Sequence, residues 1–167
     1  MFFALLSVLF SGAIFGFFYA WTCSTMWGLD AADPAVAIAA MQAMNASVRN
    51  AVFAPAFFGT PLVLLVTAVV AWKRARGAGL AFLAAALVYT AGGLILTMAV
   101  NVPMNEALAA VAIPADPAEA AAIWADYSPR WQVWNQIRTV ASGLALLLSA
   151  WGVWRLGAAR ATSTRPW

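Results

Sequence analysis

Four stretches of this chain contain no Asp, Glu, Lys or Arg: residues 1–29, 50–72, 77–105 and 139–154. A helix needs about 20 apolar residues to cross roughly 30 Å of hydrocarbon, and the first three runs meet that length outright. The fourth is short, so its helix is expected to begin earlier, near Pro129, a residue suited to a first helical turn. That start puts Trp131, Asn135 and Arg138 on the helix. Charged residues make up 9% of the 167 and hydrophobic ones 65%, whereas a soluble domain carries roughly 25% charge to cover its surface. Lipid must therefore cover much of the outside, which excludes an ordinary soluble globule, a disordered chain and a collagen-like chain. The expected fold is all-α: an integral membrane four-helix bundle with short extracytoplasmic helices. It forms one domain over residues 1–156, with spans near 2–27, 51–72, 79–101 and 130–154 and a short polar cytoplasmic tail at 157–167.

The first run lacks a basic leader and extends through Phe15–Tyr19 and Trp21, so it is read as a retained span, not a cleaved signal. Lys73, Arg74 and Arg76 fall between the second and third spans, and Arg155, Arg160 and Arg165 follow the fourth. The six acidic residues, Asp30, Asp33, Glu106, Asp116, Glu119 and Asp126, lie in the other two connections. The positive-inside rule then places both termini in the cytoplasm, in a bacterial inner membrane, with the two long connections facing outward. Each of those connections predicts a short helix, opened by Asp33-Pro34 and by Asp116-Pro117. Pro129 is expected to close the second of these and open the fourth span. Pro55 and Pro61 should bend the second span or free carbonyls within it. Gly12 and Gly16 form a small-xxx-small pair through which another helix could approach.

Histidine is absent and Cys23 is the lone cysteine. His-ligated haem, copper or zinc, a Ser-His-Asp triad and a Cys-His pair are thereby excluded. No metal-ligand spacing and no Gly-rich phosphate loop is present, so neither a metal nor a cofactor is expected. A net charge of +3 spread over nine scattered basic residues offers no nucleic-acid groove. The expected partners are the lipid bilayer and a planar aromatic small molecule, with homo-oligomerisation left open.

Polar residues concentrate at one level. Thr90, Thr97 and Asn101 share a helical stripe of the third span, which ends in TMAVNVPMNEAL, with Asn105 and Glu106 just past Pro103. Trp131, Asn135, Arg138 and Ser142, spaced by four, three and four, share a face of the fourth span. Arg49, with Asn45 one turn before it, adds a charge at the same depth, and Tyr19, Cys23 and Ser24 lie near the outer end of the first span. Singly, each has an ordinary structural role. Asn glues helices together, Trp and Tyr mark the interface, Arg138 snorkels or pairs with Glu106, and Met41, Met44, Met98 and Met104 pack. Together they point to a binding site between the outer ends of the second, third and fourth spans.

The segments GFFYAWTCSTMWGL, PAFFGTPL, TMAVNVPMNEAL and WQVWNQIRTVAS, in this order, resemble the anthrone oxygenase-like family of small four-helix membrane proteins. The resemblance implies oxidation of an anthrone-like polycyclic phenol by dioxygen without a cofactor. It touches Asn101, Pro103, Asn105, Trp131, Asn135 and Arg138. The chain departs from the family pattern at Ala54 and Gln136, where relatives often carry Asn and His.

Such chemistry needs a base, donors for a developing oxyanion and a dry aromatic pocket. Glu106 is the candidate base, on the expectation that it is buried beside apolar walls. Asn101, Asn105 and Asn135 are the expected oxyanion donors, with Arg138 as the fixed positive charge. Tyr127, Trp131 and Trp134 are expected to stack on a planar substrate, with Arg49 and Tyr19 completing the pocket. The alternative is a non-catalytic protein that binds a lipid or quinone-like molecule or packs against a partner membrane protein.

Overall fold

The computed structural model describes residues 1–163. They form five helices: α1 (Phe2–Asp30), α2 (Pro34–Ser47), α3 (Phe53–Trp72), α4 (Arg76–Ala109) and α5 (Pro117–Ser163). All but α2 are long and apolar enough to cross a membrane. The molecule is an all-α integral membrane bundle, with no strand among the described residues. The four long helices form a square in which α1 packs on α3 and α5, and α4 packs on α3 and α5. α2 lies across one end as a cap.

The lower core is built from small residues and a few rings: Ala68, Ala71, Ala78, Ala85, Ala86 and Ala145 around Phe18, Phe57, Phe82 and Tyr89. Alanine there brings backbones close, since lipid supplies no hydrophobic drive between helices and packing must hold them. A Cβ on Gly92 would lie 2.5 Å from the Ala141 Cβ, so α4 and α5 touch at that glycine. Within the bundle no helix comes close at Gly12 and Gly16: a Cβ on Gly16 would meet nothing within 4 Å, and on Gly12 only Leu146 Cδ1 at 3.8 Å, an ordinary contact with α5. Leu9, Leu62, Val69, Leu80, Leu87, Leu147 and Trp154 point outward, as a lipid-covered surface requires.

A second cluster, Met26, Ile38, Met41, Leu108, Ala120, Trp124, Tyr127 and Trp131, ties the cap to the bundle. Asp33 opens α2 as expected, its Oδ1 accepting from the Ala35 and Val36 amides at 2.9 and 3.3 Å with Pro34 in the first turn. Asp30 does more than end α1. Its carboxylate accepts from Trp124 Nε1 (3.0 Å), Ser128 Oγ (2.6 Å) and Gln132 Nε2 (2.8 Å), clamping α1 to α5.

Two expectations change. Pro129 neither closes a cap helix nor opens the fourth span, because α5 runs unbroken through it for 47 residues. The carbonyl that the proline leaves unpaired, that of Ala125, sits on an exposed residue where water can reach it. Arg130 bridges the same turn, Nε donating to the Asp126 carbonyl at 2.9 Å and Nη2 to its carboxylate. The tail expected from residue 157 is helical through Ser163, and Arg165 lies outside the described residues. Pro61 behaves as expected. It has no N–H for the Phe57 carbonyl, and the Tyr89 hydroxyl supplies that hydrogen bond from α4 at 2.8 Å.

Candidate functional site

Below the cap, between α1, α3, α4 and α5, lies a cavity of about 570 Å³. Its walls are mainly aromatic, with Phe17, Phe18, Trp21, Phe53, Phe57 and Trp131, and its polar lining is Asn45, Arg49, Asn50, Thr97, Asn105, Glu106 and Arg138. Three π-helical turns border this level, at Trp21–Thr25 in α1 and at Thr90–Ile95 and Thr97–Asn101 in α4. Such turns shift a helix's register and often mark functional sites.

Arg138 forms the inner end of the site and is 4% exposed. Its Nη2 donates to Asn135 Oδ1 at 2.9 Å and its Nη1 to Thr97 Oγ1 at 3.4 Å, while Nε has no partner. The guanidinium carbon stands 4.6 Å from the Phe18 ring centre and 5.1 Å from that of Trp131. No carboxylate pairs with it among the described residues. A cation is thus held inside an apolar bundle by neutral dipoles and aromatic faces alone.

Asn135 is not free to donate to a ligand. Its Nδ2 gives both hydrogens to protein, to the Phe18 carbonyl (3.1 Å) and to Thr22 Oγ1 (2.9 Å), while its oxygen accepts from Arg138. It orients the arginine. Asn105 lines the cavity as a hub: Oδ1 accepts from Tyr127 Oη and Trp131 Nε1, both at 2.9 Å, and Nδ2 donates to Asn45 Oδ1 at 3.1 Å. Tyr127 therefore serves through its hydroxyl and is not a stacking wall of the cavity. Asn101 is fully buried with both side-chain polar atoms unpaired, on the stripe with Thr97 and Asn105 but outside the lining.

The expected environment of Glu106 is not met. Its side chain is 59% exposed and its Oε1 meets Arg49 Nη2 at 3.3 Å, so its partner is Arg49 and not Arg138. The pair spans the mouth, linking α4 to the turn before α3. Trp134 lies elsewhere, in a separate groove with Met104, Ile123 and Arg130 between α4 and α5. Tyr19 is half exposed, stacked on Phe15 at 5.5 Å, and does not line the cavity; nor does Cys23. The structure thus gathers Arg49, Asn105, Glu106, Trp131 and Arg138 at the cavity, puts Asn135 and Tyr127 behind it, and leaves Tyr19 and Trp134 out.

Sequence reasoning missed the wall of α1 and α3, since Phe17, Phe18, Phe53 and Phe57 look like any lipid-facing phenylalanine. Asn45 is placed by the sequence one turn before Arg49, at the depth of the polar groups, but is given no role there; α2 ends at Ser47, so Asn45 is on the helix and Arg49 in the turn after it.

Residues 47–148 match the model of a family described as anthrone oxygenase. No curated protein and no solved structure matches the chain. The matched segment holds α3, α4 and α5 through the polar stripe; α1 and Asn45 precede it.

Proposed function

The chain belongs to the anthrone oxygenase family, and from that premise we propose that it is a membrane oxygenase which oxidises an anthrone-like polycyclic phenol with dioxygen and no cofactor. The observation that carries this reading is Arg138, a buried cation without a carboxylate partner, bordering an aromatic cavity large enough for a three-ring ligand. A ligand oxygen that gains negative charge would supply the missing counter-charge in a water-poor site, where such stabilisation is worth most.

An anthrone loses a proton from its central methylene to become an electron-rich enolate whose oxygen faces Arg138. Glu106 is the carboxylate in the cavity lining, and from its exposed place beside Arg49 at the mouth, not from the buried one expected of it, it takes that proton and passes it to solvent. Dioxygen adds to the deprotonated carbon, and the resulting peroxide takes up a proton. It then loses water, leaving a second ring carbonyl. One dioxygen is consumed per substrate and takes up four electrons, all from the ring carbon: two as the peroxide forms and two as the second C–H proton is lost and the O–O bond breaks, so that one oxygen stays as the carbonyl and the other leaves as water. Phe18, Trp21, Phe57 and Trp131 hold the planar ring system. The basic end, with Lys73, Arg74, Arg76, Arg155 and Arg160, faces the cytoplasm of a bacterial inner membrane in this reading, so the cavity opens on the opposite side.

The test is oxygen uptake by detergent-purified protein with 1,8-dihydroxyanthrone, counted above the protein-free rate. Uptake is expected in the wild type and is expected to fall by about a hundredfold or more in folded Arg138→Gln. Equal uptake in the variant would remove Arg138 from the site. An absence of uptake across a panel of anthrones would overturn the oxygenase reading.

A further inference from the structure

The directions of the hydrogen bonds around the cavity can be fixed from one group. The Trp131 indole N–H can only donate, so the Asn105 atom it meets must be the oxygen. The Asn105 amide nitrogen is then the atom facing Asn45, and Asn45 must turn its oxygen to receive it. That leaves the Asn45 Nδ2, which lies beside the Tyr127 side chain but makes no hydrogen bond of good geometry with it, buried without a partner. Arg138 Nε is the other buried, unpaired donor on the same lining. Two nitrogens that can only give hydrogens thus belong to residues that line one cavity, one from the cap and one from α5. No buried acceptor of the lining is left unpaired to answer them.

We propose that Asn45 is a specificity-determining residue whose side-chain N–H works with Arg138 to select ligands that present an anionic oxygen on a planar aromatic frame. The inference rests on the ligand-binding part of the reading above. The cap is then part of the site: α2 contributes the donor that Asn135, with its amide wholly engaged by protein, cannot. A cationic ligand is disfavoured by Arg138, and a plain hydrocarbon leaves both donors unanswered. A phenolate or enolate oxygen answers Arg138, and a second oxygen on the same frame answers Asn45.

The probe is 1,8-dihydroxyanthraquinone, which binds as the oxidised frame and is not consumed, added to the detergent-purified full chain. The phenol and phenolate forms differ in visible absorbance, so the pH at which the bound dye ionises is read directly. Wild-type protein should bring that ionisation to lower pH than for free dye, and Arg138→Gln should abolish the shift. Asn45→Ala should return about one pH unit of it, a tenfold loss in preference for the anion. Asn45→Asp keeps the shape and the acceptor for Asn105 but replaces the donor with an oxygen, and should push ionisation above the wild-type value by more than Ala does. Asn45→Ser, which retains an O–H donor, should keep more of the shift than Ala. If all three Asn45 variants ionise the dye as wild type while Arg138→Gln does not, the role of Asn45 is overturned and the cavity reading stands. If wild type fails to bind the dye, or Arg138→Gln leaves its ionisation unchanged, the cavity reading falls and takes this inference with it.

Discussion

Arg138 gains its fixed direction from Asn135, and the Asn135 amide has no spare hydrogen for anything else. Removing it therefore acts twice. Asn135→Ala strips an acceptor from the guanidinium and a donor from both the Phe18 carbonyl and Thr22, so stability should fall by about 1–3 kcal/mol. Dye affinity should drop with it, by roughly tenfold, because the arginine loses one of its two side-chain hydrogen bonds. Thermal unfolding and dye titration in the same detergent check both, and a variant that melts early but binds normally would show Asn135 to be mere helix glue. The Arg49–Glu106 pair is a different case, both side chains 59% exposed, and such a pair contributes at most about 1 kcal/mol. The residue types and spacings of the Trp131–Asn135–Arg138 stripe were legible in the sequence. Which amide each atom spends on protein was not, because that depends on the α1 backbone at Phe18.

Within elements, proline placement decides where backbone groups go unpaired. Pro61 leaves the Phe57 carbonyl without its helical donor, and Tyr89 reaches over from α4 to supply one. Tyr89→Phe should cost about 1 kcal/mol by orphaning that carbonyl in the core. Pro61→Ala restores an N–H at residue 61, so the same Tyr89→Phe change made in that background should cost much less. A double-mutant cycle read by reversible unfolding in detergent measures the coupling, and additive losses would show that the carbonyl does not need Tyr89. Pro129 had the same local chemistry but a different outcome. Its freed carbonyl lies on an exposed residue near the cap, so the helix continues where the sequence suggested a break.

Across the whole molecule, close packing at Gly92 sets the distance between α4 and α5, and these helices carry Thr97, Asn105, Trp131 and Arg138. Gly92→Ala would place a methyl 2.5 Å from the Ala141 Cβ, so the helices must part and stability should fall by about 1–3 kcal/mol. Gly16→Ala meets nothing within 4 Å and gains helix propensity, so its melting temperature should equal or exceed wild type. Paired thermal melts decide the matter; a destabilised Gly16→Ala would mean that α1 has a contact surface outside this bundle. Dye binding should weaken in Gly92→Ala and persist in Gly16→Ala, since only the first moves the two sides of the cavity apart.

The sequence by itself determined the solvent and the class of fold. Four uncharged apolar runs demand lipid around them and helices within them, because only internally bonded backbone survives in hydrocarbon. It also determined the opening of the cap helix at Asp33-Pro34 and the level at which polar groups gather, since both follow from spacing along a single helix. Tertiary structure alone decided which of those groups face one another. Glu106 goes to Arg49 and not to Arg138, Trp134 turns to another groove, and Asn45 enters the site from the cap. Those outcomes depend on how far each helix is rotated and how closely its neighbours approach, set by contacts such as Gly92 on Ala141 and Tyr89 on Phe57 that join residues far apart in the chain.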